Sequence, residues 1–240
     1  MNDFAQALRF IARNGQIPGG PHFPTLVHLT LETLKIAGIG IAIAIAIAVP
    51  IGVWLGHLHR GSFVAINLGN IWRALPSLAV LAIGVAFLGI GLKNVELALI
   101  VLAVPPIITN AYVAIDGIDR DIVDAARGMG LSGREILFGV ELPLGIPLIF
   151  AGIRTAALFV VSTTTIASLT GYSGSLGDII TNETSYHLSG VLGAGICIAA
   201  LALTVELALA LTQRALTPRG LKLRAADDAA LALVPAVEVG

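Results

Sequence analysis

Residues Gly38–Trp54 read GIGIAIAIAIAVPIGVW, and whether this run is a strand or a helix decides the fold. Isoleucine and alanine alternate with period two, which ordinarily marks a half-buried strand. Here the alternate residue is alanine, itself apolar, so there is no polar face for water to wet. No charge occurs between Ile36 and Gly56. A helix needs about 20 apolar residues to cross about 30 Å of hydrocarbon. Length outweighs periodicity, and the run reads as a membrane-spanning helix over about 30–55, with Pro50 as a candidate kink.

Composition agrees. The chain has 240 residues, 56% hydrophobic and 12% charged, against about 25% charged in soluble domains. The net charge of −1 says nothing about nucleic acid, no basic run is dense enough to suggest it, and no nucleic-acid partner is expected. A lone cysteine, Cys197, rules out an internal disulfide and reads as a small packing residue. Met1–Gly20 is too polar for a cleavable signal peptide, so the first span is expected to act as the insertion signal. Phe4, Leu8, Phe10 and Ile11 with Arg9 and Arg13 predict a short amphipathic helix, lying on the membrane or only partly ordered. Pro18–Pro24 reads as a linker, so residues 1–24 form an external segment ahead of a membrane domain over 25–216.

Further spans are predicted over about 71–89, 95–115, 148–170 and 191–211, about five in all, which makes an all-α membrane protein. His57 and His59, two apart, do not share a helix face, and no metal site is expected. Pro105-Pro106 in the third span must interrupt its hydrogen-bond ladder, which hydrocarbon tolerates only against protein or a cavity. Two readings follow: Pro105, Pro106, Thr109 and Asn110 face the protein interior or a cavity, or the prolines make a structural kink alone. The fourth span carries hydroxyls at Ser162, Thr163, Thr164, Thr165 and Ser168, suited to back-bonding or to a polar path. A short helix is expected over Leu176–Glu183. Residues 217–240, first basic and then rich in Ala, Leu and Val, read as a mobile tail.

Between the third and fourth spans lies DGIDRDIVDAARGMGLSGREILFGVELPLGIP, Asp116–Pro147. Four Asp, two Glu and three Arg in this block must sit in water. Asp121 is placed to cap a helix running through Arg127, with Gly128 and Gly130 in the turn. Ser132 and Glu135 have capping-box spacing, and Leu142-Pro143 is expected to end the second helix. With this block cytoplasmic, nine Lys and Arg fall on its side and four on the other. The inside thus takes the block and the C-terminus, leaving the N-terminus outside. Arg154 and Glu206 each lie about 12 Å from the cytoplasmic end of their spans. They are expected to pair, because an unpaired charge near the bilayer centre costs roughly 2.5–3.5 kcal/mol.

The block carries a resemblance. Asp124–Gly130, DAARGMG, followed by VELP ending at Pro143, is similar to the E-A-A-x3-G-x9-I-x-L-P signature of inner-membrane permeases of binding-protein-dependent ABC importers. Asp124 stands for Glu and Val140 for Ile. NIWRALPSLAVLA at Asn70–Ala82 and AGIRTA at Ala151–Ala156 resemble the glycine betaine/carnitine/choline branch. Departures are Arg73 where that branch has Gln, and the extra hydroxyls and Tyr172 in STTTIASLTGYSGSLG at Ser162–Gly177. The resemblance covers about Leu31–Leu216. It implies a type I importer permease fold in a bacterial cytoplasmic membrane. It also implies a second permease chain, identical or paralogous, two ATP-binding subunits, an external substrate-binding protein and a quaternary-amine substrate.

In that family the loop docks an ATPase, so the coupling residues implied are Asp124, Ala125, Ala126, Gly128, Gly130, Glu141, Leu142 and Pro143. The chain has no G-x-x-x-x-G-K-[ST] loop, so ATP hydrolysis is expected on a separate chain and no cofactor here. A methionine-type amino-acid importer is the alternative substrate reading. An ATP-independent secondary transporter would want more intramembrane ionisable groups than Arg154 and Glu206.

Overall fold

A helix turns once in about 3.6 residues, so i and i+4 share a face. Four is even, and the Ile/Ala alternation therefore separates into stripes along helix α2, Leu26–His57. In the computed structural model Ile39, Ile43, Ile47 and Ile51 form one exposed stripe. Gly40, Ala44, Ala48, Gly52 and Gly56 form a buried one. That buried stripe lies on α4, Leu92–Asp116. A Cβ at Gly52 would meet Ala111 Cβ at 2.7 Å, and one at Gly56 would meet Ile115 Cβ at 2.8 Å. The backbones touch there because nothing larger intervenes. Gly56→Leu is accordingly expected to destabilise the chain by about 1–3 kcal/mol, a typical overpacking cost. A thermal melt in detergent equal to the parent's would refute this contact.

The structure describes residues 2–16, 24–63, 67, 69, 72, 74–218 and 220. Most of the Pro18–Pro24 linker, Arg73 in the second predicted span and the tail beyond 220 lie outside them. Helices α2, α4 and α7, Leu142–Ile166, form the core. Against them lie α3, Ser77–Leu88, and α9, Glu183–Leu216. Among the described residues four helices are long and apolar enough to cross a membrane, while α3 is a shorter apolar helix of 12 residues. The architecture is that of an all-helical multi-pass membrane protein.

Pro105-Pro106 interrupts the hydrogen-bond ladder of α4 without ending the helix, which runs on to Asp116. The Leu102 carbonyl, which Pro106 has no N–H to meet, accepts the Trp72 indole N–H at 3.1 Å instead. Leu142-Pro143 does not end its helix. Helix α6, Gly133–Ile136, passes through a π-turn, Leu137–Glu141, directly into α7. In that wider turn the Leu142 N–H donates to the Leu137 carbonyl, and Pro143 falls in the first turn of α7, where a missing donor is harmless. Lastly, Asp119 rather than Asp121 caps α5, Arg120–Gly128, its carboxylate accepting from the Asp121 N–H at 3.0 Å.

At the opposite end α7 tightens into a 3-10 turn, Ala167–Thr170, and Gly171 reverses the chain at φ +85°. Helix α8 spans only Gly177–Thr181, shorter than expected, because Asn182 leaves helical geometry. Helix α9 is broken early by His187 at φ +56°. Helix α1, Asn2–Ala12, buries Ala7 and Phe10 against α9, Phe10 meeting Tyr186 edge-on at 6.2 Å between ring centroids. Its outer residues Phe4 and Leu8 remain exposed.

Candidate coupling block and membrane cavity

Helices α5 and α6 build a small unit of their own at one end of the bundle. Val123, Ala126 and Ile136 form its buried cluster, with Ile118, Leu131 and Val140 packed around it. Gly130 makes the turn at φ +85°, a left-handed conformation that residues with a Cβ avoid. The capping box is complete: the Ser132 N–H donates to Glu135 Oε2 at 2.7 Å and the Glu135 N–H donates back to Ser132 Oγ at 3.5 Å, while the Ser132 hydroxyl also donates to Glu135 Oε2 at 2.7 Å. The two Ser132 donors hold the Glu135 carboxylate below its usual range.

The implied coupling residues divide into two sets. Asp124, Ala125, Gly128 and Gly130 are exposed, whereas Ala126 is inside the cluster at 2% exposure. Glu141 is buried and meets His57 Nδ1 at 2.6 Å, joining the end of α2 to the π-turn. Leu142 and Pro143 are half-buried. Beside this joint His59 Nδ1 meets Asp116 Oδ1 at 2.7 Å. Both histidines are thus carboxylate partners. Sequence reading missed the apolar face of α5, where Ile122, Ala125 and Met129 stand exposed, Met129 at 74%. The signal was present, because i, i+3 and i+7 share a helix face.

Deeper in the bundle, Trp72, Leu102, Pro106, Thr109, Asn110 and Phe159 are among the residues lining a cavity of about 250 Å³. Thr109 and Asn110 do face it, and the Asn110 amide donates to the Pro106 carbonyl at 2.8 Å. The hydroxyl run of α7 is placed elsewhere. Thr164 donates to the Val160 carbonyl at 2.8 Å and Thr165 to Val161 at 3.2 Å, both back-bonded into their own helix. Thr163 is buried and Ser162 exposed, and Ser168 Oγ donates to Asp178 at 2.8 Å beyond the helix end. From α7 it is Thr155 and Phe159, outside that run, which line the cavity.

Arg154 and Glu206 are brought together between α7 and α9. Arg154 Nε donates to Glu206 Oε1 at 2.8 Å, with a second short contact from Nη2 to the same oxygen. Gln213 completes the group, its Oε1 accepting from Arg154 Nη1 at 3.1 Å. About two turns along α9 from Glu206, it is a partner that a search for charges overlooks.

Residues 35–220 match the model of the binding-protein-dependent transport system inner membrane component. The glycine betaine/carnitine/choline transport system permease protein OpuCB of Bacillus subtilis (strain 168) is 35% identical over 218 residues, 90% of this chain and 96% of that protein. The choline transport system permease protein OpuBB of the same organism is 35% identical, covering 82% and 91%. The carnitine transport permease protein OpuCB of Listeria monocytogenes is 35% identical, covering 72% and 79%. Among solved structures, an inward-facing MetNI methionine ABC transporter chain aligns with a TM-score of 0.68 at 22% identity. The alignment covers 80% of this chain and 96% of that one, a likeness of fold. The family model spans well over half of the chain and the first of these relatives nearly all of it, and the chain belongs to the inner-membrane component family of binding-protein-dependent transport systems.

Proposed function

We propose that this chain is the permease subunit of an ATP-driven importer of a quaternary-amine osmoprotectant: glycine betaine, choline or carnitine. The observation that carries the reading is the independently packed α5–α6 unit, with its apolar face of Ile122, Ala125 and Met129 left open. An apolar face rimmed by Asp121, Asp124 and Arg127 fits a groove in a cytoplasmic ATPase. The π-turn makes the unit continuous with α7, and the His57–Glu141 contact ties it to α2. Force on the block would therefore reach two core helices at once. Asp124, Ala125, Gly128 and Gly130 belong to the docking side in this reading. Ala126 holds α5 to α6 within the block, and Glu141, Leu142 and Pro143 join the block to the bundle.

The substrate class follows the three relatives, whose names carry choline, carnitine or glycine betaine. The block faces the cytoplasm, the N-terminus is external, and a second permease chain, two ATPase chains and an external binding protein complete the machine. Uptake into proteoliposomes holding the complete importer should require ATP inside and binding protein outside; uptake persisting without either refutes the reading. Preference for choline and glycine betaine over methionine, measured on the binding protein, decides the substrate branch.

Thr109 and Asn110 belong to the path through the membrane, with Trp72 and Phe159 as its aromatic walls. Ser162, Thr163, Thr164 and Thr165 within α7 and Ser168 just beyond it do not line this cavity, and in this reading the buried Thr163, Thr164 and Ser168 serve packing. Thr109→Trp fills the cavity from α4 and should cut uptake at least about tenfold, the order of effect expected when about 1.4 kcal/mol is added to a barrier. Normal uptake by a correctly inserted Thr109→Trp variant would move the path elsewhere.

A further inference from the structure

The end of the bundle opposite the α5–α6 block contains a second hollow, of about 370 Å³. Leu29 of α2, Ser168 of the 3-10 turn, Asp178 of α8 and Tyr186 of α9 meet around it, and Tyr172 comes from the loop between. The volume lies within the range of about 300–1,000 Å³ usual for small-ligand sites.

Its walls are held from several sides. Asp178 accepts the Ser168 hydroxyl on Oδ1 at 2.8 Å and the Gly174 N–H on Oδ2 at 2.6 Å. Ser168 Oγ also lies 2.9 Å from Ser175 Oγ, and the Leu176 N–H donates to Thr33 Oγ1 of α2 at 3.0 Å. The loop carrying Tyr172 is thereby anchored to α2, α7 and α8. Tyr186 is 5% exposed and braced by Phe10.

The charge in this hollow is one-sided. No ion pair to Asp178 occurs among the described residues. Burial pushes the Tyr172 phenol above its ordinary value, and the negative charges of Glu32, Asp178 and Glu96 push it the same way. Lys35 contacts Glu32 at 3.4 Å from a well-exposed position, and no ion pair to Glu96 occurs among the described residues. Such a site repels anions. No group of three His, Cys, Asp or Glu able to hold a metal ion occurs among the described residues. What a carboxylate and two tyrosines lining one hollow do suit is a diffuse organic cation, whose polarised methyl groups lie against aromatic faces.

We propose that this hollow is a receiving site for quaternary ammonium cations, with Asp178 as counter-charge and Tyr172 and Tyr186 as aromatic walls. The importer reading is needed only to place this end outside the cell, where an incoming substrate would arrive; binding itself does not depend on it. Asp178 also orders the loop, so the informative substitutions are at Tyr172.

The test uses the full chain in lipid nanodiscs with tetramethylammonium as probe and saturation transfer to its methyl protons as readout. The parent should give a signal, Tyr172→Phe should keep it, and Tyr172→Ala should weaken binding about tenfold, near the upper range for a desolvated cation on an aromatic face. Choline should compete, whereas 3,3-dimethylbutanol, its uncharged isostere, should not. An unchanged signal in a folded Tyr172→Ala variant, or equal competition by the neutral isostere, overturns the proposal. The isostere arm needs no variant, so a Tyr172→Ala chain that fails to fold leaves the proposal testable. Absent binding alongside ATP-dependent uptake defeats this inference alone. Binding alongside uptake that ignores ATP defeats only the importer reading.

Discussion

Ala126→Arg is expected to abolish ATP-coupled uptake while leaving the chain inserted in the membrane. Ala126 is 2% exposed in a cluster whose other fully buried members are Val123 and Ile136. So small a cluster cannot absorb a guanidinium without either desolvating its charge or separating α5 from α6. Overpacking alone costs about 1–3 kcal/mol. Ala125→Arg provides the contrast. Ala125 lies on the exposed face between Ile122 and Met129, so the block should stay folded and only its docking should fail.

Gly130→Pro should act like Ala126→Arg for a different reason. Proline is locked near φ −65°, whereas Gly130 sits at +85° and donates its N–H to the Arg127 carbonyl at 2.9 Å. Uptake in proteoliposomes and detergent-resistant folding separate the three variants. Normal uptake by Ala126→Arg or Gly130→Pro would reduce the block to a connecting loop.

Arg154→Glu should prevent stable assembly of α9 on the core. The substitution sets two carboxylates face to face where a guanidinium spans Glu206 and Gln213. Insertion scales put an unpaired charge deep in a bilayer at roughly 2.5–3.5 kcal/mol, and repulsion adds to that. Glu206→Arg should fail in the same way, and Arg154→Glu combined with Glu206→Arg should recover assembly. Gln213 assists the exchange, because its amide can accept or donate by turning over. Recovery of monodisperse protein after extraction is the measurement. A double variant as impaired as the singles would mean that the ion pair does not hold α9 in place. The groups are partly open, at 34% and 26% side-chain exposure, so rescue is expected to be substantial and short of complete.

Much of the block could be read in advance because its signals are local. A capping box needs only Ser132 and Glu135 three apart, and a left-handed turn needs only a glycine. The cap at Asp119 was misplaced by two residues because Asp119 and Asp121 satisfy the same local rule. The continuation through Pro143 was not legible at all. A π-turn is a choice made by the whole bundle, which gains a rigid joint between block and core. The cavity shows the same division. Pro106 announced a freed carbonyl, but that Trp72, 30 positions away in sequence, would bond the Leu102 carbonyl required the fold.

Gly38–Trp54 states the limit most plainly. By itself the sequence determined that this run crosses a membrane as a helix, because length and absence of charge are properties of the segment. It also determined that Ile and Ala would form separate stripes, since a spacing of four preserves a period of two. Which stripe faces inward was decided only by the tertiary structure. Both are apolar, so the hydrophobic effect cannot choose between them in lipid. The choice falls to van der Waals packing, and the Gly40–Ala44–Ala48–Gly52–Gly56 stripe wins because it lets the α4 backbone approach within contact distance.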